Sequence, residues 1–173
     1  MYIGEGADVT IIAGGGIHND ACGDAEHDGV HSFYLEKNAK VRYIERHYAS
    51  GDGTGKKSFD PVTNIYCKEN ACFAMESTQL GGVTSTVRKT FASLDDKAQL
   101  IVKEKILTDN DERAVTDFRV ELKGAHSRAD IVSLRLAKGH PLQLLGSHLR
   151  PYPHCIRLFY EGRNFRIGGG ALH

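Results

Sequence analysis

Residues 18–31, HNDACGDAEHDGVH, gather three imidazoles (His18, His27, His31), one thiol (Cys22) and the carboxylates of Asp20, Asp24, Glu26 and Asp28. The order His18, Cys22, His27, His31 is H-x3-C-x4-H-x3-H, a mixed imidazole and thiolate set of the kind that suits iron or zinc. It matches no closed zinc signature with tightly paired ligands such as C-x2-C, so a polar loop with incidental histidines is the competing reading. His47 is a fifth candidate ligand if the chain returns over this stretch.

Three other features carry chemical possibilities. Cys67 and Cys72 stand five residues apart, and Cys67, ending an apolar segment beside KEN, is expected to be the accessible thiol of the two. It joins Cys22 as a candidate cluster ligand, with inert buried packing as the alternative. Glu45, Glu76 and Glu104 recur at similar offsets and predict a carboxylate ladder on one surface, balanced by Arg42, Arg46, Lys103 and Lys105. The glycine loop GDGTGKKS is one residue short of G-x4-G-K-[ST] and no helix is expected after it, so nucleotide binding is excluded on this chain.

The elements that position these residues follow from a repeat. The 173-residue chain is 40% hydrophobic and 25% charged, enough for one compact domain with a core. An alanine followed by alternating apolar residues recurs at Ala7, Ala39, Ala71, Ala98 and Ala129, at intervals of 32, 32, 27 and 31. A second alternating segment precedes each later copy (VHSFYLE, VTNIYCK, STVRKTFASL, AVTDFRVEL), which makes two strands per repeat. A near-constant period fits coils stacked in parallel better than antiparallel hairpins, and predicts an all-β solenoid of about four to five coils. The alanines then mark a tight corner, and the loops GGGIHNDACGDAEHDG, ASGDGTGKKSFDP, LGGVTS and LTDNDE lie over one another on the opposite edge. LDDKAQLIVKEKIL has some helical character but alternates in the repeat register, so it is read as strand.

Charge and targeting narrow the partners. Twenty-two basic residues balance 22 acidic ones, which gives no electrostatic reason to expect nucleic acid or an anionic membrane. The first residues, MYIGEGADVTIIAGGG, lack a basic segment and a long apolar run, so neither a signal peptide nor a membrane span is expected. A cytoplasmic location follows, with four unevenly spaced cysteines kept as thiols.

Several phrases taken together carry a family likeness. HDGVHSFYLEKNAKVRYIERHYASGDGTGKKSFDPVTNIY, then MESTQLGGVTSTVRKT, KAQLIVKEKILT and DFRVEL, resemble in order and spacing the core domain shared by SufB and SufD, scaffold proteins of iron–sulfur cluster assembly. The resemblance runs from about Gly16 to Gly139. It implies a right-handed parallel β-helix and a non-enzymatic role, that of holding iron, sulfide or a nascent cluster transiently and passing it on. It also implies a SufC-like ATPase partner, and a second SufB/SufD-like subunit or a homodimer.

Two departures qualify what is carried over. Relative to the family, residues 1–139 read as a partial core and residues 140–173 as a divergent tail, without the preceding segment or the helical region that docks the ATPase. The tail, PLQLLGSHLRPYPHCIRLFYEGRNFRIGGGALH, lacks strand alternation in register and holds three of the four prolines. A reading-frame slip near codons 140–146 accounts for it, so Cys155 inherits no family role. Two other functions stay in view: an interaction remnant pairing through uncapped solenoid ends, and a β-helix enzyme acting on polysaccharide. The second is disfavoured by acidic residues that cluster in loops and by the absence of tryptophan.

Overall fold

The computed structural model describes residues 1–109, 112–138, 150–152 and 155–161. The described chain is all β: β1 (Tyr2–Ile3), β2 (Asp8–His18), β3 (Ala25–Leu35), β4 (Lys40–Ser50), β5 (Lys57–Cys67), β6 (Cys72–Gln79), β7 (Ser85–Leu94), β8 (Gln99–Asp109), β9 (Arg113–Leu122), β10 (Arg128–Lys138), β11 (Arg150–Tyr152) and β12 (Cys155–Glu161). No helix among the described residues is long and apolar enough to cross a membrane.

From β1 to β10 odd and even strands alternate between two facing sheets, and β12 and β11 extend the odd one, giving the orders β1-β3-β5-β7-β9-β12-β11 and β10-β8-β6-β4-β2. From β1 to β10 every pairing is parallel, and each links a strand to the one two further along. That is a β-solenoid of about five coils, and the hairpin alternative is excluded. The register offset is 32 residues for β2 with β4 (Asp8 against Lys40) and 27 for β6 with β8 (Cys72 against Gln99). The shortening falls on β6, which has 8 residues where β4 has 11.

Alternation decides what is inside. Phe33, Leu35, Val41, Tyr43, Ile65, Cys67, Phe73, Met75, Leu94 and Leu100 are all buried, and each lies in phase with its neighbours two residues away. Their removal from water between the sheets is the main force holding the coils together.

The tight corner is a stack of four-residue turns. Ala7, Ala39, Ala71 and Ala98 donate their N–H to the carbonyls of Gly4, Glu36, Lys68 and Asp95, and the third turn residue takes positive φ: Gly6 (67°), Asn38 (61°), Asn70 (58°) and Lys97 (57°). Asparagine tolerates this left-handed conformation better than most side chains, and Asn70 Nδ2 also donates to Asn38 Oδ1 at 2.8 Å. The fifth copy of the repeat is displaced from its expected place. Arg128 pairs with Gln99, so Ser127, not Ala129, takes the corner, and Ala129 faces the core two residues later.

The opposite edge stacks as expected, but its loops are shorter than the sequence suggests. GGGIH belongs to β2 and AEHDG to β3, leaving residues 19–24 as the loop. Backbone pairing with a stacked neighbour, which loop composition does not reveal, extends these strands. Residues 51–55 lie flat on this loop: Gly53 N–H donates to the Asn19 carbonyl and Gly55 N–H to the Ala21 carbonyl. A Cβ on Gly55 would collide with the Gly23 carbonyl, so the glycines of GDGTG serve close loop stacking.

The tail contributes strands after all. β12 runs antiparallel to β9, with Leu158 against Phe118, and β11 pairs with β12. The rest of residues 140–173, and the question of what it caps, lies outside the described residues.

Candidate functional site

The five proposed metal ligands divide between environments. His18 sits on the outer face of β2, exposed, with Nε2 2.9 Å from Asp20 Oδ2 and Nδ1 3.0 Å from Ser50 Oγ. Cys22 is exposed in the loop of residues 19–24. His27, His31 and His47 instead lie on the inner face at the end of the solenoid near β2, His27 exposed there, His31 half-buried and His47 buried. The H-x3-C-x4-H-x3-H spacing is therefore not one ligand set, because strand alternation turns His18 outward and His27 and His31 inward.

His27 stacks on Phe59 with ring centroids 4.6 Å apart, and His47 lies on the same ring at 4.1 Å; the two imidazoles are 6.2 Å apart. Gly15 roofs His27, and a Cβ there would meet its Cε1 at 2.9 Å. The Tyr43 hydroxyl donates to Glu45 Oε1 at 2.9 Å and lies 2.6 Å from His31 Nδ1. With the phenol proton committed to Glu45, His31 Nδ1–H donates to the phenol oxygen, which leaves the lone pair of neutral His31 on Nε2.

His47 is spoken for. Arg88 Nη2 donates to its Nδ1 at 3.4 Å, and its Nε2 lies 3.7 Å from Glu45 Oε1, so the lone pair faces a guanidinium and the N–H a carboxylate. Burial pushes its pKa down to about 4 despite the pull of Glu45, and the nearby charge of Arg88 adds to the lowering. His47 is a neutral interior residue that positions Arg88. His27 and His31 remain as imidazoles with capacity for an outside ligand. Among the described residues no three His, Cys, Asp or Glu groups are arranged to hold a metal ion.

Behind the histidines runs a polar chain that sequence reasoning misses. Arg88 is fully buried on β7 and reaches across to the facing sheet, with Nη1 2.7 Å from Glu45 Oε2 and Nε 3.2 Å from Glu104 Oε1. Glu104 also accepts from Thr116 Oγ1 (3.1 Å) and Ser133 Oγ (2.6 Å), and Arg135 donates to Thr116 Oγ1 and to the Ala114 carbonyl. Burial alone would raise Glu45, but Arg88, His47 and the Tyr43 hydroxyl outweigh it and hold the carboxyl below its ordinary value.

The expected surface carboxylate ladder is thus corrected. Glu45 is opposite Ser77 and Ser77 opposite Glu104, which puts both glutamates on the inner face, whereas Glu76 pairs with Ile44 and Lys103 and points outward to Arg42 at 3.1 Å. An offset of five in place of six changes the face, because side chains alternate. The signal is present in the sequence: Glu45 is in phase with Val41 and Tyr43, Glu104 with Leu100 and Val102, and Arg88 with Ala92 and Leu94.

The cysteine expectation is reversed as well. Cys67 ends β5 on the inner face between Leu35 and Leu94, is 2% exposed, and burial pushes its thiol up to about 12. Cys72 faces outward and is half-buried, so Cys22 is the freely exposed thiol among Cys22, Cys67 and Cys72. No family model matches this chain, and neither a curated protein nor a solved structure does.

Proposed function

We infer that the chain is a non-enzymatic scaffold of iron–sulfur cluster assembly that holds iron or a nascent cluster transiently, with ATP hydrolysis supplied by a SufC-like partner. Two things support the reading. The SufB/SufD-like phrases span most of the chain in order, and the fold is of the parallel solenoid type those phrases call for. The observation that carries it is the pair His27 and His31 on the inner face of β3, the second held by Tyr43 with Nε2 left open. Imidazole nitrogen suits iron(II), and the exposed Cys22 thiol is available for sulfur. Cys67 takes no part.

A polysaccharide-cleaving solenoid is disfavoured, since Glu45 and Glu104 are ion-paired in the interior where a sugar chain has no access. Anaerobic incubation of the reduced protein with iron(II) and sulfide tests the scaffold reading. A visible chromophore is expected, weakened in Cys22→Ser and in His31→Ala. A soluble, reduced sample that stays colourless overturns it.

A further inference from the structure

A polar cluster on the outer face takes no part in the site described above. His18 on β2 is the register partner of Ser50 on β4, and both residues are exposed on the outer side of that sheet. In-register neighbours on adjacent strands lie about 4.8 Å apart, within bonding reach of each other's side chains. His18 Nδ1 is 3.0 Å from Ser50 Oγ, and His18 Nε2 is 2.9 Å from Asp20 Oδ2.

The loop that follows β2 fixes this order. The Asn19 N–H donates to the Ser50 carbonyl, while the Asn19 side chain accepts from the Ala21 N–H and donates to the Gly23 carbonyl. That turn carries Asp20 back beside His18. Its second oxygen, Oδ1, accepts the Asp52 N–H at 3.2 Å, so both carboxylate oxygens are engaged. An exposed ion pair holds little by itself. Backbone contacts, more than charge, set the place of Asp20.

Proton accounting then gives the cluster a direction. An ionised carboxylate only accepts, so neutral His18 carries its proton on Nε2 and its lone pair on Nδ1. The Ser50 hydroxyl therefore donates to Nδ1. A hydroxyl, its base and the group that orients the base stand in line, the arrangement that activates a weak nucleophile. Gly51 follows the serine at φ 98°, and a Cβ there would collide with the Asn19 carbonyl. Among the described residues no hydrogen bond takes up the Gly51 N–H, and Lys57 Nζ donates to the Gly51 carbonyl. An amide donor and a cation thus neighbour the serine, the groups that stabilise negative charge developing on an attacked carbonyl.

We propose that Ser50 is an acyl acceptor, with His18 as its general base and Asp20 positioning that base, and that the chain acylates itself from small activated esters and thioesters. The bond from Ser50 Oγ to the carbonyl carbon forms as the bond to the leaving alkoxide or thiolate breaks. The hydroxyl proton passes through His18 Nδ1 to the leaving group, so the products are a Ser50 ester and a free alcohol or thiol. The His18 and Asp20 side chains are each 68% exposed; nothing there encloses a long acyl chain, and a small, already activated donor is the class that fits. The cluster shares no residue with His27, His31 and Cys22, so it stands apart from the iron-handling reading.

The test treats the full chain with a fluorophosphonate, which traps activated serines. One adduct is expected, placed on Ser50 by peptide mass spectrometry and absent in Ser50→Ala. His18→Gln leaves Ser50 in place and is expected to slow labelling at least about 100-fold. In Asp20→Asn the Asp52 N–H keeps the amide oxygen, so the amide NH2 faces His18 and moves the ring proton to Nδ1, which then no longer accepts from Ser50. Nitrogen NMR is expected to show the His18 proton on Nε2 in the parent and on Nδ1 in Asp20→Asn, with labelling slowed as in His18→Gln. All three substitutions fall on exposed residues and are expected to leave the melting temperature unchanged. In a Cys22→Ala background, an aryl acetate is expected to leave its acetyl group on the same serine. No adduct at Ser50 in the parent, labelling as fast in His18→Gln or Asp20→Asn, a parent His18 protonated on Nδ1, or acetylation confined to lysines overturns the proposal.

Discussion

Arg88 Nη1 and Glu45 Oε2 meet at 2.7 Å from opposite sheets, with side chains 1% and 0% exposed. The same guanidinium reaches Glu104 Oε1 at 3.2 Å, so one cation serves two buried carboxylates. Its removal leaves both unpaired in a low-dielectric interior. Arg88→Met is expected to cost about 3–5 kcal/mol in urea unfolding, and the added changes Glu45→Gln and Glu104→Gln to recover most of it. A loss under about 1 kcal/mol for Arg88→Met would show that water reaches this network.

Acid should loosen the fold in a defined window. Burial lowers His47 from 6.5 to about 4, so the unfolded chain binds more protons between those values. Stability is present above pH 6.5 and is lost as pH falls toward 4, by up to about 3 kcal/mol for this residue. Glu45, held below its ordinary value, adds a loss of the same sign at lower pH. The melting temperature measured from pH 7 to pH 4 should fall, and His47→Gln should flatten that slope.

Cys22, Cys72 and Cys67 should react in the order of their exposure. At pH 8 a thiol pushed to about 12, as Cys67 is, holds only about one thiolate in ten thousand. Native alkylation followed by peptide mass spectrometry should label Cys22 first, Cys72 more slowly and Cys67 only on unfolding. Rapid native labelling of Cys67 would restore the accessible thiol expected from its place beside KEN.

Lys97 occupies a left-handed position (φ 57°) that the two turns below it fill with Asn38 and Asn70. Lys97→Asn should therefore stabilise the chain by about 0.5–1 kcal/mol, by relieving the penalty of that conformation and extending the amide ladder. Thermal melting reads this directly. An unchanged or lower melting temperature argues against backbone strain at the corner.

How far the site is legible in the sequence differs residue by residue. The polar neighbours of Cys67 point to the surface, although counting by twos from Ile65 places it inside. Glu45 and Glu104 look like surface groups when charge is weighed above phase, yet phase is what orients a strand side chain. The closeness of His31 to Tyr43 is not readable, since they lie on facing sheets and meet only across the interior, whereas His27 beside Phe59 follows from the 32-residue register of β3 on β5.

The sequence by itself determined the coil: the spaced alanines and the alternating segments point to a solenoid with a tight corner, because side-chain alternation acts within a few residues and the repeat period sets how the strands stack. Only the tertiary structure decided which carboxylates share Arg88 and which imidazole keeps a free lone pair. Those depend on the distance between facing sheets, which is fixed by packing between residues remote in the chain.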